Sequence, residues 1–112
     1  IVGRSKDLII SGGYNVYPAE VESVLNEQAG VAESAVVAAP HADFGEAVVA
    51  VVVPRNGAVL SEPALIAALK ARIANFKVPK RVFIEADLPR NQMGKVQKAL
   101  LRERFKDLFI TT

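Results

Sequence analysis

An α+β domain, with a small mixed β-sheet covered by helices and a short N-terminal β-hairpin, follows from three features of this 112-residue chain. Two β-branched apolar runs, 34–39 and 47–53, lie close together between prolines, the pattern of strands covered on both faces. Segments opening at Pro18 and at Ser61 repeat apolar residues at helical spacing. The elements then fall in the order ββ-α-β-β-α-β-α, which lays helices against a sheet.

The hairpin is read from Leu8-Ile9-Ile10 and Tyr14-Asn15-Val16, which Ser11-Gly12-Gly13 splits as a turn. Pro18 suits a first helical turn, Val21, Val24 and Leu25 share a face, and Gly30 stands where a C-terminal cap belongs, so a helix is expected over 18–29. Glu20 and Glu22 lie in its first turns, where carboxylates offset the helix dipole, and are read as structural. Pro40 and Pro54 bound the two central strands. Ser61 is the N-cap of a second helix, with Glu62 and Pro63 in its first turn and Leu65, Ile66, Leu69 and Ile73 as its apolar stripe. A short strand at 81–84 is broken by Asp87-Leu88-Pro89, and a basic helix over 96–105 carries Leu100 and Leu101 among Lys and Arg.

Composition narrows the function classes. The length suits one domain, 1–112, and 51% apolar residues mark a chain that builds a core. Without cysteine there is no disulfide, no thiolate nucleophile and no cysteine zinc site, so a reducing cytoplasmic setting is expected. No segment approaches the ~18 apolar residues of a membrane span. The net charge of +2 does not demand a nucleic-acid partner. His41 is the only histidine and no serine sits in an elbow motif, so a catalytic triad and a transition-metal site both lack parts. A first residue of Ile rather than Met suggests a piece of a longer protein.

The segment Pro89-Arg90-Asn91-Gln92-Met93-Gly94-Lys95 is a polar loop between strand and helix, from which a mobile lysine reaches outward beside a glycine that leaves room for a ligand. A phosphate-cradling P-loop is excluded, because position 89 is Pro and position 96 is Val. Lys77, Lys80 and Arg81 form a second basic cluster, either solvated or in contact with phosphates.

At the other end, Gly3-Arg4-Ser5-Lys6-Asp7, Gly12-Gly13 and Pro18-Ala19-Glu20-Val21-Glu22 precede that loop in an order that resembles the C-terminal domain of the adenylate-forming superfamily. This superfamily comprises acyl-CoA synthetases, beetle luciferases and adenylation domains of peptide synthetases, and the resemblance spans 3–105, with wording nearest to bacterial malonyl-CoA synthetases. It implies the acyl-CoA synthetase/luciferase-like fold and a two-step ligase that uses ATP, CoA and Mg2+ on a carboxylic acid. Lys95 matches the adenylation lysine, Lys6 with Asp7 the hinge in region 1–7, Arg4 the nucleotide-contacting arginine, and Gly12 and Gly13 the pantetheine tunnel. The implied partner is the large N-terminal domain of the same enzyme. The loop also resembles those acetylated in bacterial acyl-CoA synthetases, so a lysine acetyltransferase and deacetylase acting on Lys95 are implied as well.

Two rivals stay open. One is an adenylation domain from another adenylate-forming enzyme; the chain ends soon after its last helix with no carrier domain, which favours a free-standing synthetase. The other is a stand-alone module that binds through the basic helix, against which Glu103 and Asp107 interrupt the positive run and no base-stacking surface is evident.

Overall fold

The computed structural model describes residues 8–109, and its N-terminal hairpin forms where two glycines allow it. β1 (Ile9–Ser11) and β2 (Tyr14–Val16) pair antiparallel with Ser11 opposite Tyr14, leaving Gly12 and Gly13 as the turn. Their φ angles, +60° and +88°, are both left-handed, as a two-residue turn that follows the strand twist requires.

α1 (Pro18–Asn26) buries Pro18, Val21 and Leu25. It stops three residues short of the expected 29, with Glu27 rather than Gly30 at its C-terminal cap, and Gly30, at φ +86°, turns the chain into the next strand. A side chain there would also crowd Leu60 and Ala58, 3.1 and 3.2 Å from its Cβ position.

β3 (Val31–His41) and β4 (Gly45–Pro54) form a long antiparallel hairpin that extends past both predicted runs. Pro40 and Pro54 lie inside these strands rather than beyond them. Pro40 is on an edge strand and Pro54 is the last residue of its strand, where a missing N–H removes no central ladder bond.

α2 (Glu62–Lys70) is capped by Ser61, whose hydroxyl accepts from the Ala64 amide at 3.3 Å. It is the crossover that lets β5 (Arg81–Ile84) run parallel to β4 along Val49–Val52. A 3₁₀ turn at Asn75–Lys77, which helical periodicity did not reveal, lies on the way. α3 (Lys98–Phe105) starts two residues later than expected, because Val96 is held opposite Arg90.

The strand order β2-β1-β4-β3, with β5 also on β4, makes β4 the centre of a mixed sheet. Its residues alternate between two cores. Val48, Ala50 and Val52 face α1 and α2 with Val21, Leu25, Leu65 and Leu69, whereas Val49, Val51 and Val53 face α3 with Leu88, Leu101 and Phe105. The continuous apolar run of β4 is thus explained by cover on both faces.

Glu22 joins the layers. Its carboxylate accepts from the Val36 amide at 2.8 Å and pairs with Lys98 of α3 at 2.7 Å. One side chain therefore satisfies an outward N–H of edge strand β3 and binds helices lying on opposite faces. Glu20 pairs with Lys77 at 2.9 Å, so both glutamates are structural, through tertiary pairing. No helix among the described residues is long and apolar enough to cross a membrane.

Leu101 is fully buried and its neighbour Leu100 is 57% exposed, which gives a direct test of the second core. In denaturant unfolding, Leu101→Ala is expected to cost about 2–5 kcal/mol and Leu100→Ala less than about 0.5 kcal/mol. Similar losses at both positions would contradict this placement of α3.

A second test concerns pH. Burial pushes the Glu62 carboxyl up, but hydrogen bonds from Arg81 and from the Val82 amide, each 2.8 Å, together with the Arg81 charge, outweigh it and hold the group below the ordinary carboxylate range. A depressed carboxyl contributes stability above its unfolded value, and that contribution disappears as pH falls through the folded value. Glu62→Gln should therefore destabilise by a constant amount above about pH 5 and by a shrinking amount below about pH 4. A difference unchanged down to pH 3 would refute the pairing.

Candidate functional site

Lys95 stands on a hairpin-like loop that is more fixed than its polar sequence suggests. The Asn91 amide donates to the Lys95 carbonyl at 3.0 Å, the Gly94 amide to the Asn91 carbonyl at 2.9 Å, and the Gln97 amide to the Pro89 carbonyl at 2.8 Å. The carboxamide oxygen of Asn91 accepts from the amides of Met93 (2.9 Å) and Lys95 (3.0 Å). Gly94, at φ +82°, supplies the left-handed step that closes the loop. Arg90 braces it from the side: one nitrogen donates to the Gly94 carbonyl at 2.9 Å, and another pairs with Glu33 of β3.

From this frame the Lys95 side chain is exposed, and its ammonium makes no hydrogen bond or ion pair among the described residues. Met93, at the loop tip, is 90% exposed. The backbone is thus held while the charged side chain is left exposed.

The Gly12–Gly13 turn lies at the opposite end of the sheet. The Gly12 amide donates to the Phe44 carbonyl at 2.9 Å, and Ser11 pairs with Gly45 at the start of β4. Beside the turn opens a cleft of about 440 Å³, lined in part by Gly12, Tyr14, Phe44, Phe76, Val78 and Lys80. Tyr14 stacks on Phe76 with centroids 4.6 Å apart, and the Lys80 ammonium sits 4.4 Å from the centre of the Phe44 ring. A side chain on Gly12 would point at Phe44, 3.6 Å away, and would narrow the cleft.

The anchors of the two regions, Glu33 and Phe44, are separated by the stretch of β4 from Gly45 to Val53, which spans roughly 26 Å at the rise of a strand. The structure therefore places Lys95 and Gly12–Gly13 apart. Arg4, Lys6 and Asp7 lie outside the described residues.

The second basic cluster separates by role. Lys77 and Arg81 pair with Glu20 and Glu62, while Lys80 faces the cleft. On the C-terminal segment, Lys98, Arg104 and Lys106 pair with Glu22, Glu85 and Glu103. His41 organises the β3–β4 turn, its Nδ1 accepting from the amides of Asp43 and Phe44 at 3.0 and 3.3 Å. Among the described residues no group of three His, Asp or Glu side chains is placed to hold a metal ion.

Sequence reasoning missed Asn91, Glu33 and the aromatic walls of the cleft. Asn91, four positions before Lys95 in a glycine-closed loop, carries the turn chemistry that could have been noticed. Tyr14, Phe44 and Phe76 come from three separate segments and give no local signal.

The profile of the AMP-binding enzyme C-terminal domain matches residues 20–95. A 3-[(3aS,4S,7aS)-7a-methyl-1,5-dioxo-octahydro-1H-inden-4-yl]propanoyl:CoA ligase of Rhodococcus jostii (strain RHA1) is 52% identical over 95% of this chain and 21% of its own length. An indoleacetate–CoA ligase of Aromatoleum aromaticum (strain DSM 19018 / LMG 30748 / EbN1) is 48% identical over 90% of this chain and 20% of its own. The crystal structure of ATP-bound MatB from Rhodopseudomonas palustris superposes with a TM-score of 0.91 at 54% identity, over 96% of this chain and 21% of that one. The chain thus spans about a fifth of the length of the curated relatives it matches. With its mixed sheet, its exposed Gly-Lys loop and this profile match, the chain belongs to the AMP-binding enzyme C-terminal domain family.

Proposed function

We propose that this chain is the mobile C-terminal lid of an AMP-forming acyl-CoA ligase. Such an enzyme joins a carboxylate to ATP, releasing pyrophosphate, and then passes the acyl group from the adenylate to the thiol of CoA, releasing AMP. The observation that carries this reading is the separation of a lysine with no partner among the described residues from a glycine-edged cleft by the length of one hairpin.

Negative charge gathers where the carboxylate oxygen meets the α-phosphate, and a preorganised ammonium screened from water stabilises it strongly. Lys95 is suited to that position by its fixed backbone and its exposed head group. It acts electrostatically and accepts no proton. For the thiol step the lid turns about Lys6 and Asp7, withdraws Lys95 and presents the Gly12–Gly13 end. Bare glycines there let the thin pantetheine arm pass, and Lys80 with the rings of Phe44 and Phe76 offers a charged, aromatic wall to the rest of CoA. Arg4 is assigned to the nucleotide near the hinge. Mg2+ and most of ATP are assigned to the large domain, and the whole enzyme to the cytoplasm.

The acid is chosen elsewhere. Two CoA ligases named for unrelated acids keep lids about half identical to this one, so the lid does not read the acyl group. The wording of the motifs is nearest to malonyl-CoA synthetases, a likeness that leaves the choice of acid to the large domain. The pairing of Lys98, Arg104 and Lys106 with carboxylates weighs against a nucleic-acid module.

In the full-length enzyme, Lys95→Ala should slow pyrophosphate release by ~100-fold to ~1000-fold while sparing thioester formation from preformed acyl-adenylate. Lys6→Pro should do the reverse, because a stiff hinge holds one orientation. Equal losses in both half-reactions for both variants would refute the two-state lid.

The exposure that frees Lys95 for catalysis also offers it to a lysine acetyltransferase, and acetylation would cancel the charge used in the first step. Treatment with such an enzyme and acetyl-CoA should modify Lys95 above other lysines and remove adenylation until deacetylation restores it. Labelling spread evenly over the lysines, read by mass spectrometry, or full adenylation with Lys95 acetylated, would exclude this control.

A further inference from the structure

Charge stabilisation by a lysine depends on where its ammonium is held, and a lysine on an exposed loop has no packing to hold it. Burial does not fix the loop around Lys95: residues 90–95 are all exposed. What fixes it is a ring of hydrogen bonds, and one residue takes part in four of them. The Asn91 backbone amide reaches the Lys95 carbonyl, its carbonyl accepts from Gly94, and its carboxamide oxygen accepts from both Met93 and Lys95. We propose that Asn91 is a positioning residue for Lys95, its side-chain carboxamide fixing the peptide from which the catalytic ammonium projects. This rests on the reading of Lys95 as the adenylation lysine.

The geometry separates this role from general support. An asparagine oxygen that collects amides two and four residues ahead replaces a missing strand partner and closes the turn. Residues 91 and 95 are then joined in both directions, Asn91 donating through its backbone and accepting through its side chain. Arg90 holds the ring to the sheet through Gly94 and Glu33, so the loop keeps its place even when its interior loosens. If the carboxamide is removed, the exposed amides of Met93 and Lys95 are taken up by water, with little loss of stability. What changes is the spread of Lys95 orientations, and a misplacement of about 1 Å can cost ~100-fold in rate.

The test uses the full-length enzyme with its acid, ATP and CoA. Asn91→Ala should lower kcat for pyrophosphate release by ~10-fold to ~100-fold with KM values little changed, because the lost interaction is expressed in the transition state. Its melting temperature and its thioester half-reaction should stay near those of the parent. Asn91→Asp, which keeps the acceptor, should recover adenylation to within about fivefold of the parent, less than full because its charge lies near the lysine. Should the alanine variant fail to fold, Asn91→Ser, whose shorter side chain cannot reach both amides, takes its place with the same direction of loss. Adenylation within about twofold of the parent in Asn91→Ala, where Lys95→Ala slows it by ~100-fold or more, would overturn the inference and leave the functional reading standing. Equal losses in both half-reactions without recovery in Asn91→Asp would likewise overturn it. Full adenylation by Lys95→Ala would remove the functional reading and this inference together.

Discussion

The β3–β4 hairpin is the constraint on which the rest of the domain depends. Its ten paired positions give the sheet a stiff axis, and β4 accepts every other strand except β2. Both faces of β4 are apolar, so helices must cover both, and the chain supplies α1 and α2 for one and α3 for the other. That two-sided cover decides where the loops emerge. Gly12–Gly13 is carried to the Phe44 end by β1, and Pro89–Val96 is delivered to the Glu33 end before α3 begins.

Much of this was legible because the signals are local. A paired glycine between short apolar runs specifies a tight turn, Ser61 with Pro63 specifies a helix start, and uninterrupted valines specify a buried strand. The strand ends expected at Pro40 and Pro54 were misplaced for one cause. Proline was read as a stop, but on an edge strand or at a strand terminus it loses no ladder bond, and only the register reveals those positions. Glu22 shows the same limit: its place in the first turns of a helix suggests a dipole role, whereas its partners Val36 and Lys98 are distant in sequence.

At the site, the glycine-lysine loop was legible as a motif, and its exposure followed from its polarity. Its stiffness did not, because it arises from an asparagine side chain, an arginine brace and a glutamate brought from β3. The cleft was less legible still. Tyr14, Phe44 and Phe76 meet only when the hairpin, the β3–β4 turn and the 3₁₀ turn are folded together, and Lys80 joins the cleft while its neighbours Lys77 and Arg81 turn to carboxylates.

A stiff domain with its two useful features at opposite ends limits how they can be used. A lysine side chain extends only about 6 Å, far less than the roughly 26 Å between the anchors of the two regions. Loosening the 89–96 loop would not close that gap either, since Arg90 ties one end of it to β3 and Lys98 ties the other to Glu22 of α1. Neither region can be brought to the other's position by a local rearrangement that keeps the core intact. If one catalytic centre needs both, the domain must turn as a body, and the cost of turning is kept low because the moving part is rigid and its own core is undisturbed. Under the proposed reading, rigidity inside the domain and a turn of the whole domain are therefore two aspects of the same requirement.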